Sequence, residues 1–214
     1  MILIGMFDSP FVRRVAITMN FLAIPFEHRD WSVGKDFDLI REFNPLGRVP
    51  TLVLDDDESL IESAAILDYL DDLVGPTRAL LPPAGRDRRE ALRAMSIAVG
   101  AAEKGVLQIY ETVFRPEEKR HGPWVDRCRV QMHGALAELE RAAAGRSGWL
   151  VGERMTQADI TTTCVFTFLR DALGVGTAGA YPGLAGLTER CERIPEFRAA
   201  KLAFSAPRQP GQPG

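Results

Sequence analysis

An α/β half followed by an all-helical half is the architecture that the sequence predicts, and three observations carry it. Up to about residue 75, short β-type runs alternate with segments of helical period. The stretch "GPTRALLPPAGRDRR", rich in proline and glycine, then breaks the pattern, and beyond it the apolar residues recur at helical spacing alone. Residues 1–75 are therefore read as one domain, 76–87 as a linker and 88–204 as an all-helical domain. The final segment "SAPRQPGQPG", residues 205–214, has the composition of a disordered tail.

In the first half "MILIGMF" reads as a buried strand, and from Val12 the apolar residues fall at 12, 15, 16, 19, 22 and 23, the period of a helix with one core face. "IPFEHRDW" gives a second strand and "GKDFDLIREFNP" a short helix that stops before Pro45. "TLVLDDDESLIES" supplies strands over 51–54 and 59–61, joined by an acidic link too short for a crossover, hence an antiparallel hairpin. A helix with apolar residues at 66, 67, 70, 73 and 74 closes the order βαβαββα.

In the second half Leu92, Met95, Val99, Ala102, Val106, Ile109 and Val113 mark a seam along one long helix, and Cys128, Met132, Ala135, Leu139 and Ala142 mark a second. "MTQADI" carries a capping box, Thr156 with Asp159, and a Met155–Ile160 staple, so both polar residues are assigned to folding. The run that follows is apolar nearly all round and predicts the buried centre of this domain. "PGLAGLTERCERIP" adds a short helix.

Composition narrows the function. A net charge of −3 with interspersed signs offers no field for nucleic acid or an anionic membrane, so neither is a partner. "MILIGMFDSP" lacks the basic segment of a secretory signal and no run reaches the length of a membrane span, which makes the cytoplasm the expected location. Cys128, Cys164 and Cys191 are too scattered for a disulfide framework and are read as buried structural thiols, and the three histidines lack metal-site spacing.

Ser9, before Pro10, is a well-formed N-cap signal for the first helix, and Ser63 is one for the helix after the hairpin. Arg13 and Arg14 are read as salt-bridged or solvated helix residues. No GxSxG surrounds Ser9 and no histidine lies in its motif, which excludes a hydrolase nucleophile.

Four motifs in order, "SPFVRR", "NPLGRVPTL", "ESAAILDYL" and "WLVGERMTQADI", make the chain resemble a cytosolic glutathione transferase of the bacterial, serine-containing type, from Met1 to about Phe204. The resemblance implies a thioredoxin-like N-terminal domain, a helical C-terminal domain, a homodimer and glutathione as co-substrate. It further implies a cis Val49–Pro50 bond that turns the Val49 backbone toward the cysteinyl part of glutathione, a small case of strand addition. Glu62 and Ser63 would hold the ammonium and carboxylate of the γ-glutamyl end. Arg48 and Lys35 would meet the glycyl carboxylate, and Phe11 belongs to the same site.

Ser9 would donate its hydroxyl proton to the glutathione sulfur, favouring the thiolate without forming a covalent intermediate. The resulting chemistry is conjugation of a small hydrophobic electrophile, of the kind used in detoxification. Its pocket is expected between the domains, with Met6, Phe7, Phe11, Tyr110, Phe114 and Trp124 as candidate walls. Ser96, Gly100 and Ala101 are small enough to permit close approach in a dimer.

Two other readings stay open: an isomerase, dehalogenase or disulfide reductase of the same fold, and a non-catalytic glutathione-binding or scaffold protein. A reductase using a protein thiol wants cysteine where this chain has Ser9, which weighs against that member of the set.

Overall fold

A computed structural model describes residues 1–177 and 179–207. Two compact units divide the chain: Met1–Leu80 together with the segment from Pro195 onward, and Leu81–Ile194.

The first unit is built on four short strands, β1 (Ile2–Ile4), β2 (Glu27–Arg29), β3 (Thr51–Val53) and β4 (Ser59–Ile61), in the order β2-β1-β3-β4. β1 and β2 run parallel, as a helical crossover requires, while β3 lies antiparallel to both β1 and β4. This is the mixed sheet that the element order implied, and the thioredoxin-like one that the resemblance implied. Its hairpin closes through Asp57 at φ 68°, with the Leu54 N–H donating to the Glu58 carbonyl at 2.8 Å. Ile4, Ile40 and Val53 form a buried cluster on which Ile2, Trp31, Val33, Phe43 and Val49 pack.

Helix α1 (Pro10–Phe21) is the crossover, followed by α2 (Phe37–Arg41) and α3 (Ser63–Val74). Every residue of α1 from Val12 to Met19 is buried, not one face alone. The cause is a short helix in the segment that the sequence reading grouped with the second domain. α8 (Pro195–Ala199) packs on α1, which also contacts α3 and β1. Arg13 fastens it: Nε donates to the Ala200 carbonyl at 2.9 Å and Nη2 to that of Phe197 at 3.1 Å. Phe197 itself is fully buried. Residues 195–204, grouped from sequence with the helical domain, thus belong to the α/β unit. Of the expected disordered tail, Ser205 donates its N–H to Asp8 Oδ2 at 3.1 Å, and residues 208–214 lie outside the described residues.

The second unit contains α4 (Gly85–Val113), a 3-10 turn (Glu117–Lys119), α5 (Gly122–Ala143), α6 (Gln157–Leu173) and α7 (Pro182–Glu192). α4 starts inside the expected linker, because "GRDRRE" is helix-forming once past its glycine, and Arg86 and Glu90 pair one turn apart at 2.6 Å. α6 is buried throughout Gln157–Leu169 and packs against α4 and α7, as its all-round apolar character predicted. Its capping box forms: Asp159 Oδ2 accepts the Thr156 N–H at 2.9 Å, and Thr156 Oγ1 accepts that of Ala158 at 3.2 Å.

Candidate functional site

Between β1 and α1 the chain makes a tight turn, Met6 to Ser9, closed by the Ser9 N–H on the Met6 carbonyl at 3.2 Å. Ser9 has extended backbone angles, φ −71° and ψ 124°, and is the N-cap. Its Oγ accepts the Val12 N–H at 3.5 Å, the outer limit of such a bond, so the hydroxyl proton remains available to donate. Pro10 has no N–H to satisfy, and the Phe11 N–H is one of the donors that a helix start leaves without an intrahelical acceptor.

Gly5 lets a second segment come close to this helix start. At φ +128° it adopts a conformation that a side chain would strain, and an added Cβ would fall 2.6 Å from Val12 Cγ2 and 2.7 Å from Val49 Cβ. The Val49–Pro50 bond is cis, as the resemblance implied. Buried Asn44 braces the loop ahead of it: Nδ2 donates to the Arg48 carbonyl at 2.8 Å and to Thr51 Oγ1 at 3.2 Å, and Oδ1 accepts the Leu46 N–H at 3.0 Å.

The third segment begins at Glu62, whose φ 65° and ψ 120° lie outside the regions open to most L residues. Such a conformation costs of order 1–3 kcal/mol and tends to occur at ligand sites, where the surroundings enforce it. Glu62, not Ser63, is therefore the N-cap of α3, and it makes no side-chain cap bond. Ser63 is the first helical residue, buried, and its Oγ accepts from Arg14 Nη2 at 2.7 Å. The expectation of Ser63 as N-cap is corrected accordingly, as is that of solvated or salt-bridged Arg13 and Arg14: both are buried and donate across the unit. Glu62 Oε1 stands 3.2 Å from Arg48 Nη1, with both side chains 54% exposed, a pair worth no more than about 1 kcal/mol.

Three motifs far apart in sequence are thus joined by contacts within one unit: Gly5 against Val12 and Val49, Arg14 to Ser63, and Arg48 to Glu62. Residues 3–78 match the N-terminal domain of glutathione S-transferases and residues 122–190 the C-terminal domain. A glutathione S-transferase, GstA, of Escherichia coli O157:H7 is 34% identical over 81% of this chain and 88% of its own. The chain belongs to the glutathione S-transferase family.

A GST-like protein of Escherichia coli K12, YibF, is 30% identical over 78% of this chain and 81% of its own. Among solved structures, a glutathione S-transferase from Methylobacterium radiotolerans in complex with glutathione sulfonate superposes with a TM-score of 0.87. It is 30% identical and covers 100% of this chain and 97% of its own. A glutathione transferase family member from Pseudomonas fluorescens Pf-5, with bound glutathione, has a TM-score of 0.78 at 28% identity, covering 98% of each chain.

The other candidate residues lie as follows. Lys35 is 71% exposed and its Nζ lies 3.8 Å from Asp36 Oδ2. Met6, Phe7 and Phe11 are half-buried beside Ser9 in the first unit. In the second, Tyr110 meets Phe114 edge-on, ring centroids 4.9 Å apart, and Trp124 carries Lys104 Nζ 5.8 Å from its ring. Ala101, a candidate dimer contact, is fully buried on α4, whereas Ser96 is exposed and Gly100 half-buried.

Asp8, next to Ser9, has its carboxyl pushed above the usual range by burial and by the charge of Asp30, against the lowering effect of the Ser205 N–H. All three cysteines are free and buried, and burial raises Cys191 to about 12. Among the described residues no cluster of three or more His, Cys, Asp or Glu is placed to hold a metal, and no helix is long and apolar enough to cross a membrane.

Sequence reasoning missed Arg14, Asn44 and Gly5. The one signal for Arg14 was its setting: two arginines followed by "VAITM" on a helix whose apolar residues continue around them.

Proposed function

We propose that the chain is a serine-type glutathione transferase that conjugates the glutathione thiolate to a small hydrophobic electrophile. The observation that carries this reading is the meeting of the Ser9 turn, the Val49 loop and the Glu62–Ser63 helix start in one unit.

Each element suits one part of glutathione. The γ-glutamyl carboxylate fits the start of α3, where the Ser63 hydroxyl accepts from Arg14 and keeps its own proton to donate. Glu62 suits the adjacent ammonium, and Arg48 the glycyl carboxylate, with Lys35 as a further cation. The Val49 N–H and C=O suit the cysteinyl backbone next to Pro50. The sulfur would then lie at the start of α1, where the Ser9 hydroxyl and the Phe11 N–H are the donors and the helix end is electropositive.

Ionisation gives the thiol proton to solvent. The thiolate pair forms the new C–S bond, and the displaced pair leaves with the leaving group or, in an addition, moves to the atom next to the attacked carbon, which takes a proton from solvent. Met6, Phe7 and Phe11, beside Ser9 in the first unit, are the proposed electrophile contacts. The reading includes a homodimer in which Ser96 and Gly100 of α4 make the close approach. No cysteine lies in residues 1–80, so reductase chemistry by a protein thiol has no nucleophile at this turn.

Ser9→Ala tests the mechanism. Turnover with a panel of aryl and alkyl electrophiles is expected to fall about 10- to 100-fold, the size of one lost hydrogen bond to a charged group, with glutathione affinity little changed. Unchanged turnover would remove Ser9 from the mechanism, and no turnover by the wild type with any member of the panel would favour a binding protein.

A further inference from the structure

The turn that delivers Ser9 is held from outside its own segment. His28, at the middle of β2, reaches it twice. Its Nε2 lies 2.8 Å from the Gly5 carbonyl oxygen, and its ring stacks on Phe7 with centroids 3.9 Å apart and planes 5° from parallel. A carbonyl only accepts, so Nε2 carries the proton in this bond.

Nothing in the fold of β2 itself calls for an imidazole here. β2 is the sheet's edge strand, paired to β1 through its backbone, and His28 is exposed. What the imidazole touches is the approach to Ser9. Gly5 is the residue with the widest backbone freedom in "GMFDS", and His28 holds its carbonyl while the Arg29 carbonyl accepts its N–H at 2.9 Å. Phe7 then follows at a corner of the turn that the Ser9 N–H closes on Met6. Bond and stack together remove the swing that glycine would otherwise allow to the turn.

We propose that His28 is a positioning residue, which fixes the Gly5–Ser9 turn so that the Ser9 hydroxyl meets the sulfur of bound glutathione. The inference rests on the glutathione transferase reading. A donor that drifts by about 1 Å gives up most of a hydrogen bond, so loosening the turn should show first in the ionisation of the bound thiol.

The test is an ultraviolet titration of the thiolate in the glutathione complex of the full chain, with calorimetric affinity and thermal melting alongside. His28→Ala is expected to raise the titration midpoint, with about tenfold less thiolate near neutral pH and a matching fall in kcat, at a glutathione affinity within about twofold of wild type. His28→Gln keeps a donor for the Gly5 carbonyl and His28→Phe keeps the ring on Phe7, and each should recover part of the loss. A His28→Ala complex whose thiol titrates as in the wild type overturns the proposal, whatever its melting temperature. A wild type that binds no glutathione overturns the functional reading itself, an outcome distinct because it needs no variant.

Discussion

Asp8 and Ser9 sit side by side in the β1–α1 turn, and they face opposite demands. In the proposed mechanism Ser9 donates toward a developing negative charge, while Asp8 must carry one in a setting that disfavours it. Burial and Asp30 hold the folded carboxyl above its ordinary value of 3.8. A raised folded value means that the folded state binds more protons than the unfolded one. Its contribution to stability is therefore full below the unfolded value and is lost as pH rises through the folded one. Urea midpoints of wild type and Asp8→Asn, measured from acid to neutral pH, should show the wild type losing ground to the variant as pH rises above 3.8. A gap that stays constant would contradict this. At this scale the sequence was uneven. Ser9, Val49, Glu62 and Ser63 stood in motifs whose meaning is local, whereas Arg14, Asn44 and His28 act on partners that only folding brings near. Arg14 and Ser63 are 49 residues apart, and no spacing along one helix encodes such a bond.

Elements show the same division between local signal and packing. The α6 start was fully legible, because cap, box and apolar run all lie within a few residues. Asp159 also accepts the Leu150 N–H at 2.8 Å, which ties the preceding loop to the helix. Thr156→Ala should cost about 0.5–2 kcal/mol of stability in denaturant unfolding, the usual loss for an N-cap. The seams of α4 and α5 were read one step off at several positions. On α4 the buried residues are Ala91, Ala94, Met95, Ala98, Ala101, Ala102, Gly105, Gln108, Ile109 and Glu111, while Leu92 is 41% exposed. Close helix contact selects small residues for the line of nearest approach and sends larger ones to its flanks, so counting apolar bulk points beside the true stripe. Gly105 marks that line: an added Cβ would fall 2.3 Å from Leu169 Cδ2, on a fully buried side chain of α6. Gly105→Val should therefore destabilise the protein by about 1–3 kcal/mol through overpacking, read as a lower melting temperature.

For the whole molecule, the order βαβαββα and the helical half were readable because period and break points are properties of the chain. The return of residues from Pro195 to the first unit was not, since Arg13, Phe197 and Asp8 secure it through contacts nearly the length of the chain apart. Family membership joins the two levels, as the matched segments cover both the sheet that carries the candidate site and, in the second unit, α5, α6 and most of α7. The central claim is that the joined motifs form a glutathione site. Calorimetric titration of the full chain with glutathione tests it most directly. Saturable binding at one site per chain is expected, weakened about tenfold, or about 1.4 kcal/mol, in Ser63→Ala; no detectable heat of binding, or an affinity that Ser63→Ala leaves untouched, would contradict the account.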